Sequence, residues 1–252
     1  MERDPIFRSY KFDDRHRAEM DRNGHFVFPG LLTQQASKML TKSLENILSL
    51  SPLAVKGHEP NRFSAEYDEY LEGLISHPQM LNLARQVLGE EIRYDHCVAL
   101  NRPEGNKGLG WHSHAYSEDD RNLRFVRIFF YVNGFQINNG GLKVVAGSHH
   151  FRDPDIKART DQELEKGWMA GKVHPITEKP LKVEFLTVPA CSVILMWTHA
   201  AHAVSSKCSQ SETRWTVVYA YRNPGKPSRA RWISPQFEKK LIPGSEGLMS
   251  LY

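Results

Sequence analysis

The sequence of 252 residues is poor in cysteine and has no long apolar segment. Its three cysteines, Cys97, Cys191 and Cys208, are odd in number and lack C-x-x-C spacing, which argues against a disulfide framework and a cysteine zinc site. The beginning, MERDPIFRSYKFDDRHR, lacks the apolar core of a secretory signal, and no later segment has the length of a membrane span. We therefore expect a soluble, cytoplasmic protein without a membrane partner.

Basic runs and linkers are missing as well. The net charge is only +4, and no cluster of Lys and Arg interleaved with aromatic residues indicates a nucleic-acid partner. No stretch rich in Pro, Gly and Ser marks a linker, and no period repeats. Because this length suits one large hydrophobic core, we expect a single domain over residues 1–252. Nothing in the sequence indicates the oligomeric state.

The first 90 residues predict helices with one early strand. Residues 12–23 are polar and helical in pattern, and the short apolar run 25–29 follows them. A second helix is predicted over residues 33–50, with a threonine as its N-cap. A third fits residues 77–88, with a proline in its first turn and Gly89 at its end.

From residue 91 onward the sequence predicts short strands instead. β-branched and aromatic residues cluster between turn residues without intervening helices, which is typical of a sandwich or barrel. One polar insertion, residues 151–180, contains a weakly helical segment and is expected outside the barrel. The strand-like segments are IRYDHCVALN, RFVRIFFYV, LKVVAGS, LKVEFLTV, SVILMW and RWTVVYAYR.

The segment Gly-Trp-His-Ser-His carries the first candidate metal ligands. His112 and His114 are two residues apart, so on an extended strand they project from the same face. Two histidines on one face can share a metal ion, although two surface histidines would give the same pattern.

A second group of candidate residues lies far downstream. In SVILMWTHAAHAV, His199 and His202 are three residues apart, so on one strand only one of them can face a barrel interior. Arg214 begins the strand RWTVVYAYR and shares a face with Thr216 and Val218. A guanidinium on such a face needs an anion, either a structural Asp or Glu or the carboxylate of a bound molecule.

These segments together carry a family resemblance. Residues 111–114 resemble the pattern W-H-x-D, and residues 139–149 resemble the turn N-G-x-L-x-V-x-P-G-S-H. His202 is followed twelve residues later by Arg214, and residues 24–50 resemble a glycine-phenylalanine strand, a proline and a capped helix. In this order and spacing the motifs resemble the phytanoyl-CoA dioxygenase family of iron and 2-oxoglutarate oxygenases.

The resemblance implies a mainly β fold, a double-stranded β-helix (a jelly-roll, cupin-like core). That core would cover residues 91–224, with a helical part at 1–90 and a tail at 225–252. It also implies that Fe(II) is held by His112, His114 and His202, that Arg214 binds the distal carboxylate of the co-substrate 2-oxoglutarate, and that Asn101 stands where the family has a lysine for that co-substrate. The implied activity is hydroxylation of a small-molecule substrate with release of succinate and CO2.

One ligand position departs from the family pattern. His114 stands where the family has an aspartate, so a site of two histidines and one carboxylate becomes a three-histidine site. The net charge of the metal site rises by one unit, which favours binding of the dianionic co-substrate. An alternative is that the acidic run Glu118-Asp119-Asp120 supplies the carboxylate, although such a run is more often a solvated turn.

Two other functions fit the same residues. One is a catalytically silent metabolite-binding protein of the same fold, and the other is a three-histidine dioxygenase that uses no 2-oxoglutarate, in which Arg214 holds a substrate carboxylate. Four basic residues in the tail, Arg222, Lys226, Arg229 and Arg231, favour either a mouth for an anionic substrate or a solvated basic surface.

Overall fold

The computed structural model describes residues 4–54, 58–114, 123–208, 212–226 and 231–250. Within them, ten strands form two antiparallel sheets of five strands each. The strands are β1 (His25–Phe28), β2 (Arg93–Arg102), β3 (Leu109–His112), β4 (Phe125–Tyr131), β5 (Leu142–Val145), β6 (Lys157–Ala158), β7 (Val183–Phe185), β8 (Ser192–Trp197), β9 (His202–Val204) and β10 (Arg214–Arg222).

The order of the strands confirms the predicted jelly-roll core. The sheet with the longer strands, called the larger sheet below, has the order β1-β8-β4-β10-β2. The other sheet, called the smaller sheet, has the order β6-β3-β9-β5-β7. Because neighbours in each sheet are mostly distant in sequence, the chain passes repeatedly between the sheets. The early strand β1 joins the larger sheet beside β8.

Alternation along the strands creates two apolar layers. Val126, Ile128 and Phe130 of β4 face outward, where they belong to the core shared with the N-terminal helices. Phe129 and Tyr131 face inward and pack with residues of the smaller sheet. The space between the sheets is therefore lined by every second residue of the central strands.

Apart from α6 (Asp161–Lys166), the helices cover the outer face of the larger sheet or flank it. They are α1 (Asp14–Asn23), α2 (Gln34–Leu50), α3 (Ser64–Tyr67), α4 (Glu69–Ile75), α5 (Pro78–Leu88), α6 (Asp161–Lys166) and α7 (Pro235–Glu238). Thr33 caps α2 by accepting a hydrogen bond from the Ala36 amide, as its sequence predicted. Gly89 ends α5, which starts with Pro78 at its first turn, so the three N-terminal helices predicted from the sequence are confirmed.

The insertion between β5 and β7 packs against the outside of the smaller sheet. Leu164 of α6 and the nearby Met169 share an apolar cluster with Trp111 of β3. The Trp111 indole also donates a hydrogen bond to Asp161, at 2.8 Å. The predicted helix and its position outside the barrel are both confirmed.

The tail is packed onto the helical side of the molecule. Phe237, Ile242 and Leu248 are buried in the same core as the N-terminal helices. The Tyr94 amide donates to the Leu248 carbonyl at 2.8 Å. Across the described residues, no helix combines the length and the apolar character needed to cross a membrane.

Candidate metal centre

Three histidines converge between the two sheets. His112 is the last residue of β3 and His202 is the first residue of β9, and the two face each other in the ladder. Their ring centroids lie 4.2 Å apart, and the ring of His114 lies 5.0 Å from His112 and 5.2 Å from His202. One ligand atom from each residue lies within 4.8 Å of the others, an arrangement that can hold one metal ion.

Backbone carbonyls orient two of these rings. The Nδ1 atom of His112 lies 2.9 Å from the Gly110 carbonyl, and that of His202 lies 2.8 Å from the Ala200 carbonyl. A carbonyl only accepts, so each Nδ1 is protonated and donates. The Nε2 lone pair of each ring is then available for a metal, which is the usual role of such a supporting contact.

Burial keeps all three rings neutral at physiological pH. Desolvation lowers the pKa of His112, and it lowers the pKa of His114 and His202 well below the usual value. The charge of Arg127, on the inner face of β4, acts in the same direction on each ring. Because a metal binds only the unprotonated imidazole, these shifts favour a loaded site.

The local backbone differs from the simple pattern of alternating residues on one strand. Strand β3 ends at His112, so His114 lies in the segment beyond it. The expected convergence of the two rings is present, but it depends on the path of the chain after the strand.

The segment that contains His199 and His202 also departs from a single regular strand. The apolar run around Trp197 is not one strand, because β8 ends at Trp197 and β9 begins at His202 in the other sheet. A turn closed by the Ala200 amide and the Trp197 carbonyl, at 2.9 Å, separates them. His202 is brought to the cluster, whereas His199 lies in the turn and makes a hydrogen bond with the backbone of His114.

Arg214 lies on the inner face of the larger sheet and is only 2% exposed. Its guanidinium carbon lies 5.5 Å from the ring of Tyr131 and 5.9 Å from that of Phe135. Its Nε and Nη1 atoms have no hydrogen-bond partner among the described residues, and neither has Oγ1 of the neighbouring Thr216. A structural carboxylate for Arg214, the alternative considered from the sequence, is therefore not found in this part of the chain.

Burial lowers the pKa of Arg214 to about 10, an effect opposed by Tyr131. The guanidinium remains protonated at neutral pH. Two donors and a hydroxyl consequently face the interior from adjacent inward positions of β10, which is a suitable arrangement for a carboxylate.

The expectation for Asn101 is wrong. Asn101 is exposed and pairs with Trp215, so it lies on the outer face, while Arg102 pairs with Arg214 and shares its inner face. The charge of Arg102 also acts on Arg214, which shows that the two side chains are close. Aligning the family segment K-P-P-G with residues 102–105 without a gap would have placed the lysine at Arg102.

In the described part of the tail, the basic residues do not form the mouth considered from the sequence. Arg222 is fully buried, 4.4 Å from the Phe125 ring centre, and its Nη1 lies 3.8 Å from Asp95. Arg231 is paired with Glu238 at 2.5 Å. Lys226 is exposed, whereas Arg229 and the acidic run Glu118-Asp119-Asp120 lie outside the described residues.

Comparison with known proteins places these features in a family. The family model for phytanoyl-CoA dioxygenase matches residues 20–216. An L-proline trans-4-hydroxylase from Streptomyces griseoviridis is 22% identical over 199 residues, covering 71% of this chain and 74% of the hydroxylase.

Solved structures share the fold at low sequence identity. The non-haem α-ketoglutarate-dependent carbocyclase SnoK from nogalamycin biosynthesis has a TM-score of 0.67 at 13% identity, with 86% of this chain and 88% of that chain covered. HygX from Streptomyces hygroscopicus, solved with nickel and 2-oxoglutarate, has a TM-score of 0.64 at 15% identity, with 86% and 89% covered. Since the family model matches well over half of the residues, the chain belongs to the phytanoyl-CoA dioxygenase family.

Proposed function

We propose that this protein is a non-haem Fe(II)- and 2-oxoglutarate-dependent oxygenase that hydroxylates a small molecule. The observation that carries the proposal is the pairing of two features inside one barrel. These are the cluster of His112, His114 and His202 and the buried guanidinium of Arg214, whose Nε and Nη1 atoms have no partner among the described residues. Family membership supports both the enzyme class and the cofactors.

The three histidines would hold the iron. They offer three neutral nitrogen donors from one side, so the remaining coordination positions stay open for a chelating co-substrate and dioxygen. When bound, iron and 2-oxoglutarate supply the oxidising chemistry, with succinate and CO2 as co-products. The His112 and His202 rings are held by their backbone contacts, which fixes the direction of their free lone pairs.

Arg214 would bind the distal carboxylate of 2-oxoglutarate, with Thr216 as a hydroxyl donor beside it. Arg102 faces Arg214 across the ladder and would add a second positive charge. This assignment replaces Asn101, whose side chain is on the other face. It also gives a function to three polar side chains that lie close together on the inner wall.

The remaining parts of the proposal concern the whole chain. We infer one oxygenase domain over residues 1–252, since the N-terminal helices, the larger sheet and the tail share one apolar core. A cytoplasmic location is supported by the three free cysteines. We infer that the substrate is a small molecule, and anionic molecules belong to the class that we consider.

Succinate formation tests the enzyme class. Fe(II)-loaded protein supplied with 2-oxoglutarate and oxygen should release succinate slowly even without its substrate, and His112→Ala should abolish this release. Lack of succinate in a protein that binds iron and 2-oxoglutarate would instead favour the silent binding protein.

The three-histidine donor set specifically favours one second candidate, direct dioxygenation without a 2-oxo acid. In that case Arg214 would hold a carboxylate of the substrate. Oxygen consumption with a substrate candidate such as L-proline, measured with and without 2-oxoglutarate, separates the two mechanisms. Consumption that is independent of 2-oxoglutarate would support the second candidate.

A further inference from the structure

Ser148 is fully buried beside the turn that leads to His202. It belongs to the motif of residues 139–149, whose side chains take no part in the proposed binding of metal and co-substrate. Its hydroxyl donates to the Val145 carbonyl at 2.6 Å and accepts from the Ala201 amide at 2.8 Å. One hydroxyl therefore connects the end of β5 to the turn between β8 and β9.

The peptide group between Ala200 and Ala201 links this hydroxyl to the metal cluster. Its carbonyl lies 2.8 Å from Nδ1 of His202 and accepts the ring proton, and its N–H is the group that donates to Ser148. A peptide group is planar, so its carbonyl and its N–H keep a fixed orientation relative to each other. Ser148 and the His202 ring are thus attached to opposite edges of one rigid plane.

The surroundings leave this plane little freedom apart from its bond to Ser148. The next carbonyl along the chain, that of Ala201, accepts from the Val145 amide at 3.1 Å. His202 itself pairs with Val144 in the ladder between β5 and β9. Ala200 and Ala201 are 2% and 0% exposed, so bulk water cannot replace the serine hydroxyl as the partner of the amide.

We propose that Ser148 is a positioning residue for the metal ligand His202. Its hydroxyl fixes the peptide plane whose carbonyl orients the imidazole, and it thereby sets the direction of the Nε2 lone pair. The bond from Ala201 to Ser148 also polarises the peptide group, which makes the Ala200 carbonyl a better acceptor for the ring N–H. This inference rests on the metal-binding part of the proposed function, because it concerns a ligand of the same centre.

Ser192 offers a matched control. It is also fully buried, and its hydroxyl donates to the Pro189 carbonyl at 2.7 Å and accepts from the Gly30 amide at 3.3 Å. Like Ser148, it donates to the residue three positions earlier. Ser192 begins β8, so it lies at the end of this strand opposite the turn that leads to His202. Removal of either hydroxyl costs the same kinds of hydrogen bond, but only Ser148 is connected to a metal ligand.

Titration of the metal-free protein with Co(II) tests the proposal. In Ser148→Ala the affinity for Co(II) should fall about 10-fold, the lower end of the effect of removing a partner of a metal-bound histidine. Ser192→Ala should bind Co(II) as the wild type does, although both variants should unfold at lower urea concentration. Unchanged Co(II) affinity in Ser148→Ala, or an equal loss in Ser192→Ala, would overturn the proposal.

Hydrogen exchange in the wild type gives a second test that needs no variant. Coupling between two sites is reciprocal, so a bond to Ser148 that favours metal binding must itself be strengthened by the bound metal. Loading with Zn(II) should therefore slow exchange of the Ala201 amide by about 10-fold more than exchange of the Gly30 amide. Equal slowing of the two amides would overturn the proposal, even where Ser148→Ala does not fold.

Failure of this inference can be told apart from failure of the proposed function. A lower Co(II) affinity in Ser148→Ala, in a protein whose wild type releases no succinate, would contradict the oxygenase and support the positioning role. Succinate release by the wild type together with unchanged Co(II) affinity in Ser148→Ala would overturn the positioning role alone.

Discussion

At the scale of single residues, the proposed role of His114 as a ligand would determine the charge of the metal centre. With three neutral imidazoles the loaded site keeps the full charge of the metal, whereas an aspartate would reduce that charge by one unit. The dianionic co-substrate should bind the three-histidine site more strongly for this reason. In this proposal, replacing the carboxylate ligand by His114 would strengthen the attraction of the metal site for 2-oxoglutarate.

The substitution His114→Asp tests this charge effect. We expect the variant to retain iron but to bind 2-oxoglutarate at least ~10-fold more weakly, since a unit charge about 4 Å away contributes up to ~4 kcal/mol at a partly buried site. Anaerobic titration of the Fe(II) protein measures the affinity. His150→Asp makes the same charge change at an exposed position and should have little effect. Tighter binding by His114→Asp would contradict the argument.

The second prediction at this scale concerns the carboxylate anchor. Arg214→Lys keeps a positive charge but loses the paired donors, so the KM for 2-oxoglutarate should rise by about 10-fold or more. Thr216→Val should raise it about 5-fold, as one hydrogen bond predicts. Succinate release at varied 2-oxoglutarate gives both values. Trp215→Phe, on the outer face, serves as the control, and an unchanged KM in Arg214→Lys would exclude this role.

Sequence periodicity predicted some of these residues and missed others. Arg214 and Thr216 share a face because the strand alternates regularly from its first residue. Asn101 was assigned incorrectly because the face of a strand end depends on register, and only the pairing of Arg102 with Arg214 fixes it. A shift of one residue in the aligned motif was enough to choose the wrong face.

At the scale of elements, the turn between β8 and β9 is the feature that the sequence concealed. The run from Ser192 to Val204 is mostly apolar, and although the predicted strand SVILMW ends at Trp197, nothing in the composition shows that the chain then enters the other sheet. The crossing nevertheless places His202 opposite His112. Burial of both segments makes them alike in composition although they belong to different sheets.

The junction between α1 and β1 depends on one glycine. Gly24 has φ +89°, and a Cβ atom added there would lie 2.6 Å from Nδ1 of His149. His149 cannot easily move away, because its Nε2 donates to the Asp21 carbonyl at 2.9 Å. A side chain at position 24 would therefore meet both backbone strain and a clash.

We predict that Gly24→Ala lowers the free energy of unfolding by about 2–4 kcal/mol, through backbone strain and overpacking. Urea denaturation measures the change. Gly30→Ala is the matched control, since Gly30 also has a positive φ, +62°, but an added Cβ would meet nothing within 4 Å. It should cost only the backbone strain, about 1–2 kcal/mol. Equal losses in both variants would show that the contact with His149 is unimportant.

At the scale of the whole molecule, the sequence predicted the fold class because the residue pattern changes clearly near residue 91. Helical periodicity precedes this point, and short clusters of β-branched and aromatic residues follow it. It could not predict the packing of the tail, since the short helix α7 has little periodicity. The tail is held instead by scattered apolar residues and single hydrogen bonds, such as that from Ser76 to the Pro243 carbonyl at 2.7 Å. Such long-range contacts leave no local pattern.

Buried histidines should make the folded protein sensitive to acid. Burial lowers the pKa of His25 to about 4 and that of His149 to about 3. The unfolded chain takes up protons on these residues below pH 6.5, whereas the folded chain does not until the pH falls much further. The stabilisation present above pH 6.5 is therefore lost progressively as the pH falls toward 4 and 3.

The expected result is a lower free energy of unfolding at pH 5.0 than at pH 7.5, with on the order of 1–2 kcal/mol from each of these two residues. Urea denaturation of the metal-free protein at both pH values gives the difference. His25→Gln should reduce the difference, because one of the buried histidines that titrate in this range is removed. A difference that is unchanged in His25→Gln would show that other groups dominate the acid response.

The central claim is that a three-histidine iron centre and Arg214 together hold 2-oxoglutarate. The most direct test is the weak visible charge-transfer absorption of the chelate, recorded anaerobically after addition of Fe(II) and 2-oxoglutarate to wild type, His114→Ala and Arg214→Ala. The band should form in the wild type, disappear in His114→Ala, and require much more 2-oxoglutarate in Arg214→Ala. Bound iron without a band in the wild type, or a band that both variants retain unchanged, would contradict the account.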